Sequence, residues 1–333
     1  MHYHVSCERH ILTSFLIPDL LLFSAFIYGL YIFRWGQTEQ LTTLTEAVFL
    51  GIMSRSSGRY CHKRLTRTLQ LMMVIGIAWV VFSFGVNVFR SQSLHLLDAN
   101  TQIQWIPSYR SDTNSSNLIE RWVFVVVTLL GFVVLDMAYA AVVINYSTQC
   151  QLLVFLFSSI CERIRAKDWG IERTIKELKS AREFLSMLNS HLSRAVSLLL
   201  FIFLTTSVQA IWGLQSVKKE QENFTLEVTT GLLSIVQWSF MLVLPLIQAS
   251  RVTRAAARLK KVGLEVRSRP YSYLDTPQLD LDSLVLYTTS LKMSAKLVNL
   301  PISPSVVGVL FFTVGVVLFL VFQLDTYHWA VWL

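Results

Sequence analysis

The chain has 333 residues, of which 53% are hydrophobic and only 15% charged, and its mean hydropathy is +0.50. No ordinary soluble domain of this length carries that balance, so soluble enzymes and nucleic-acid-binding modules are excluded at the outset and a membrane protein remains. The formal charge of +8 therefore carries information through its distribution along the chain.

A bilayer core of roughly 30 Å needs about 20 mostly apolar helical residues. In chain order, the first such window is 11–33, interrupted only by Pro18 and Asp19. It follows a polar N-terminus with no small-residue cleavage site, so it is expected to act as an uncleaved insertion signal. The second, 41–53, is short, Thr-rich and carries Glu46; the chain has seven spans if it crosses and six if it does not. Residues 68–89 form an unambiguous third. The window opening at Trp122 stays mostly apolar to Cys161, about 60 Å of helix, too long for one crossing and too short for two with a turn. It reads as a span over 122–145 whose end projects into the cytosol. Spans over 193–214, 226–249 and 304–324 complete the set, giving an all-α, polytopic fold with a single domain over 1–333.

Lys and Arg set the orientation, because they are retained in cytosolic loops. With the N-terminus inside, residues before the first span and segments 54–67, 162–194 and 250–300 hold 23 of the 29 Lys and Arg, and no Lys or Arg follows Lys296. The C-terminus is expected outside. The sequons at Asn114 and Asn223 fall in outside loops, where glycosylation reaches them, whereas Asn145 falls at the inner end of a span. Cys7, Cys61, Cys150 and Cys161 all fall on the cytosolic side, where thiols stay reduced; no disulfide is expected and their spacing fits no metal site.

The cytosolic segments are amphipathic. Ile171, Ile175, Leu178, Leu185, Leu188 and Leu192 share one helical face. Val252, Ala255, Leu259 and Val262 form a second stripe beside Arg251, Arg254, Arg258 and Lys261, and a third runs Leu284, Tyr287, Leu291, Val298 and ends at Pro301. Two arrangements fit: helices lying flat on the anionic leaflet, or helices packed into a cytosolic platform, which the short linkers to the spans favour.

Catalytic signatures such as GxSxG, HExxH or a P-loop lysine are missing from the sequence, and no cofactor is implied. Asp19, Glu46 and Asp136 place a carboxylate in a span. Asp136 is the deepest, and a buried ionisable group in a membrane is a candidate for a cation path or ligand contact; a carboxylate hydrogen-bonded to Tyr, Ser or Thr of neighbouring helices is the other reading. Gln209 and Trp212 stand near the outer end of 193–214, and Gln237 and Trp238 lie inside 226–249. They suit a cavity that binds a small organic molecule by stacking and a few hydrogen bonds, or, for Trp212, an interfacial belt. On the last span Val309, Phe312, Val316, Phe319, Leu320 and Gln323 share a face, with Gly308 and Gly315 to one side. That face could line a pore closed by dewetting, with Gln323 at its mouth, or be a lipid-facing or core stripe that ends in an interfacial amide.

The segment 294–324, SAKLVNLPISPSVVGVLFFTVGVVLFLVFQL, resembles the C-terminal signature of the insect gustatory receptors, in which Thr-Tyr, five hydrophobic residues and Gln-Phe follow one another. Here Val316-Val317, Leu318 to Phe322 and Gln323-Leu324 occupy those places. The basic helix IQASRVTRAAARLKK after the sixth span, the amphipathic helix before the last span and the long fourth helix are similar to the family's segments as well. The resemblance covers about residues 120–324. It implies a tetrameric ligand-gated cation channel, a homotetramer or a heteromer with related receptor subunits, in the plasma membrane of a sensory neuron, that opens to a small-molecule tastant. The ligand pocket would lie among the outer halves of the second to sixth helices, where Asp136, Gln209, Trp212, Gln237 and Trp238 fall. Phe312, Val316, Phe319 and Gln323 would line the pore, and Leu324 stands where the family has Phe at the gate. A G-protein-coupled receptor would need its C-terminus inside. A secondary transporter would be expected to show repeated halves and glycine-broken helices.

Overall fold

The computed structural model describes residues 58–98, 116–215, 224–268, 276–291 and 293–312, with isolated positions at 23–24, 26–27, 31, 43–46 and 273. Among the continuously described residues six helices precede a small hairpin: α1 (Gly58–Asp98), α2 (Ser116–Ala166), α3 (Ile171–Met187), α4 (Ser193–Gln215), α5 (Phe224–Arg267) and α6 (Gln278–Ser290), then β1 (Lys296–Leu297) and β2 (Leu300–Pro301). A last helix, α7, runs over 304–312, where the described residues end. Of the first two expected spans only the isolated positions are described. Asp19, Asn114, Asn223, Val316, Phe319, Gln323 and Leu324 lie outside the described residues.

The chain is an all-α, multi-pass membrane protein. Among the described residues three helices are long and apolar enough to cross a bilayer, and α3 with α4 counts as a fourth if this pair, bent by 41° at its junction, is one span. α1 shows how the sequence divides its surface. Met72, Trp79, Ser83 and Val86 form a buried stripe, while Leu71, Val74, Ile77 and Val81 are more than half exposed. A helix that turns a continuous row of aliphatic residues outward and keeps its buried serine and its tryptophan inward has hydrocarbon as its solvent.

α2 has 51 residues, about 76 Å of helix and more than twice the bilayer core. Its second half, α3, the second half of α5 and α6 pack together at the Lys- and Arg-rich end of the molecule. Leu153, Phe157, Ile160 and Ile164 of α2 meet Leu178 and Leu185 of α3, Val252, Leu259 and Val262 of α5, and Leu281 and Leu284 of α6, all at most 3% exposed. The amphipathic stripes thus face one another in a helical platform. At two contacts a glycine permits the approach. A Cβ on Gly76 of α1 would come within 2.8 Å of Ile144, and one on Gly263 of α5 would collide with Thr288 of α6. Arg165 pairs with Glu265 at 3.0 Å, and Tyr273 donates its hydroxyl to the Ile164 carbonyl at 2.5 Å, tying the end of α2 to the segment after α5. Trp169 lies between Arg163 and Arg173, their guanidinium carbons 4.2 and 5.4 Å from its ring centre.

One expectation needs correction. The third stripe was read as one helix reaching Pro301, but α6 ends at Ser290 and Val298 sits at the tip of a hairpin, 62% exposed. The backbone there has positive φ at Val298 and Asn299, which no helix accommodates. At Gly308, expected to admit a neighbouring helix, a Cβ would meet nothing within 4 Å among the described residues. Unpredicted from the sequence, a π-helical turn, Leu188–Leu192, joins α3 to α4.

Candidate functional site

The polar residues of the membrane-spanning bundle converge where α1, α2 and α5 meet. Asp136 is 4% exposed, Ser83 0% and Gln237 2%. The Ser83 hydroxyl donates to Asp136 Oδ2 at 2.5 Å and accepts from Gln237 Nε2 at 2.6 Å. Asn87 Nδ2 donates to the same Oδ2 at 3.2 Å, and Trp79 Nε1 donates to the Gln237 carbonyl at 3.2 Å. Each helix contributes at least one member: α1 gives Trp79, Ser83 and Asn87 at intervals of four, one above another on the inner stripe, α2 gives Asp136 and α5 gives Gln237. Away from water a lone carboxylate, hydroxyl or amide is costly. Here the donors and acceptors run in sequence from amide to hydroxyl to carboxylate, so the cluster also ties three helices together.

One turn farther along α2, and one residue farther along α5, the knot is bordered by an aromatic row. Tyr139 meets Phe203 of α4 edge-on at 6.2 Å between ring centres, and Phe203 meets Trp238 at 5.5 Å. Trp238 is half-buried and packs against the core. The expected ligand residues Asp136, Gln237 and Trp238 are thus brought within one neighbourhood. Gln209 and Trp212 lie on α4 in its last turns, and their side chains are outside the described set. Ser83, Asn87, Trp79 and Tyr139 belong to the same cluster and were missed by the sequence reading. The only signal that could have found them is the four-residue spacing of Trp79, Ser83 and Asn87 within an apolar span.

The cluster offers hydrogen-bonding groups and, beside them, aromatic faces for stacking. Its weakest link is Asn87, half-buried and bonded at the longest distance to the carboxylate. A second polar bridge lies toward the platform, where Gln151 Nε2 donates to Gln248 Oε1 at 2.6 Å. Cys150 and Cys161 are free and buried.

The far end of the chain has a different character. On α7, Val309 is 65% and Phe312 74% exposed, and Val307 is its one buried side chain among the described residues. Its first turns therefore rest on the bundle along a narrow strip and turn most of their apolar surface outward.

By sequence, no family model and no curated protein matches this chain. By structure, the insect olfactory receptor OR5 from Machilis hrabei in complex with eugenol matches over 92% of this chain and 80% of its own, with a TM-score of 0.60 at 14% identity. The chain has the fold of the insect olfactory receptors. A second structure of the Machilis receptor covers 95% of this chain and 92% of its own, with a TM-score of 0.55 at 10% identity. The likeness in fold thus takes in more than nine tenths of the chain.

Proposed function

We propose that this protein is an insect chemoreceptor of the gustatory type, a ligand-gated cation channel that opens to a small-molecule tastant. The observation that carries the reading is the olfactory-receptor fold over nearly the whole chain, in company with the gustatory-receptor-like signature around Gln323. The exposed first turns of α7 support it, since a helix that leaves Val309 and Phe312 uncovered in one chain suits a position between copies around a pore. On this reading four copies, or this chain with related subunits, surround a pore lined by Phe312, Val316 and Phe319, with Gln323 and Leu324 at its outer gate. The basic platform lies in the cytosol, the C-terminus outside, and Asn114 and Asn223 in glycosylated outer loops of a receptor at the plasma membrane of a sensory neuron.

The ligand would bind beside the Asp136 knot, with Gln209, Trp212, Gln237 and Trp238 as further contacts. The Machilis receptor was captured with eugenol, a small aromatic molecule. A tastant hydroxyl or amine that replaces the Asn87 contact would keep the carboxylate paired and gain stacking on the aromatic row. Binding that favours the dilated state then opens the pore by population shift.

Three experiments test the reading. A tag on the C-terminus should be stained on intact cells; staining that appears only after permeabilisation overturns it. Cells expressing the chain without added G protein should pass cation current to at least one member of a panel of sugars, bitter compounds and carbon dioxide. Substitution of Gln323 should alter gating or permeation, and unchanged currents would remove that residue from the pore.

A further inference from the structure

Between the platform and α7 the chain makes a hairpin too small to stand alone: Lys296 pairs with Pro301 and Leu297 with Leu300. Its corner residues Val298 and Asn299 have φ of 52° and 60°, the left-handed pair that a tight type I′ corner requires. Asn adopts that conformation readily, but a β-branched Val does so only under constraint. The constraint comes from a row of polar side chains on the π turn and the start of α4. Asn189 Nδ2 donates to the Ser294 carbonyl at 3.0 Å, and its Oδ1 accepts from the Lys296 N–H at 2.8 Å. The Ser193 hydroxyl donates to the Lys296 carbonyl, and Ser197 Oγ accepts from the Val298 N–H at 2.6 Å. From α5, Thr253 Oγ1 accepts from the Ala295 N–H at 3.2 Å.

Asn189, Ser193 and Ser197 follow at intervals of four, where the chain changes from π turn to α-helix and bends by 41°. π turns recur where a helix must present a side chain off its regular line. α7 starts three residues beyond the hairpin and buries little of itself, Val307 being its one buried side chain among the described residues and Ile302 a second just before it. Beside the buried Ala295 and Leu297, the row is the polar attachment that fixes the inner end of the last helix.

We propose that Asn189, Ser193 and Ser197 are positioning residues for gating, a role that rests on the channel reading above. The row clasps the hairpin and so holds the inner end of α7 in the resting position. Opening releases the Val298 corner and lets it leave the left-handed conformation, so the strain at Val298 favours release while the polar row opposes it. The two sets of contacts then bias one equilibrium in opposite directions.

The test uses the full-length chain in liposomes, read by amide hydrogen exchange over 294–312 and by ligand-free cation flux. Ser197→Ala should speed exchange at Val298 and in the first turn of α7 by about fivefold or more and raise the basal flux. Ser197→Thr, which keeps the hydroxyl, should restore both. Val298→Asn, which removes the strain and leaves the clasp, should shift the flux in the opposite direction, a sign that a merely structural brace would not produce. Ser197→Ala with wild-type exchange across 304–312 overturns the proposal, as does a flux change that Ser197→Thr fails to reverse. Flux absent from every chain, wild type included, both without ligand and with the tastant panel sinks the channel reading alone, and the exchange data then still decide whether the row positions α7.

Discussion

Replacing Asp136 by Ala removes the acceptor of two hydrogen bonds, from the Ser83 hydroxyl at 2.5 Å and from Asn87 Nδ2 at 3.2 Å. Hydrogen bonds between helices in a membrane contribute about 0.6 kcal/mol on average and up to about 1.7. Two of them set the loss at about 1 to 3 kcal/mol. Ser83 can turn its hydroxyl to the carbonyl four residues back, as serines in helices do, which pulls the expectation toward the lower end. Asp136→Asn should stay within about 0.5 kcal/mol of wild type, because the amide oxygen still accepts from both donors. The assay is equilibrium unfolding of the purified chain in mixed detergent and lipid, followed by tryptophan fluorescence, to which Trp79 and Trp238 contribute from beside the cluster. A double-mutant cycle over Ser83→Ala and Asp136→Ala isolates the pair, with an expected coupling of about 0.5 to 1.5 kcal/mol. Additivity to within about 0.3 kcal/mol would show that the three helices are not held at this point. Asp136→Asn as damaging as Asp136→Ala would show that charge, not the hydrogen-bonding geometry, is what the site supplies.

Gly263→Leu should cost about 3 kcal/mol, because α6 has to move off α5 to clear Thr288; the same unfolding assay measures it, and wild-type stability would mean the helices are not in close contact. Tyr273→Phe should cost about 1 kcal/mol by removing the hydroxyl that Ile164 accepts. Burial raises the Tyr273 phenol above its ordinary value, so the folded state favours the protonated form. Its contribution is complete below about pH 10 and is lost as pH rises through the folded value. Wild type should lose stability in that alkaline range more steeply than Tyr273→Phe, and parallel pH curves would refute the assignment.

What the sequence conveyed best was which face of each helix turns inward. Val252, Ala255, Leu259 and Val262 were expected to share a buried face and are all at most 7% exposed, because a 3.6-residue period is a local property that packing rarely overrides. Partners were not legible. Asp136 and Ser83 are 53 residues apart in the chain and Ser83 and Gln237 are 154 apart, and nothing in one sequence pairs them. The suggestion that Asp136 is bonded to Ser, Tyr or Thr of a neighbouring helix could not say which. The hairpin was missed for a different reason. Its corner lacks the glycine that ordinarily marks a left-handed turn, and Val298 falls in step with the apolar stripe before it, so the period continued past the point where the helix stops. The constraint that bends the chain there comes from Asn189, Ser193 and Ser197, about a hundred residues earlier.

The unbroken length of α2 also has a mechanical meaning. A helix of 51 residues carries no joint between the Asp136 knot and the platform, so the two ends cannot move independently. Over the roughly 42 Å of helix from Asp136 to Ile164, a tilt of 1° about the knot carries the far end through about 0.7 Å. A disturbance too small to break any contact near Asp136 thus becomes, at Ile164 and the residues packed on it, a displacement the size of a hydrogen bond's tolerance. The helix acts as a lever arm, and its gain is set by residue count.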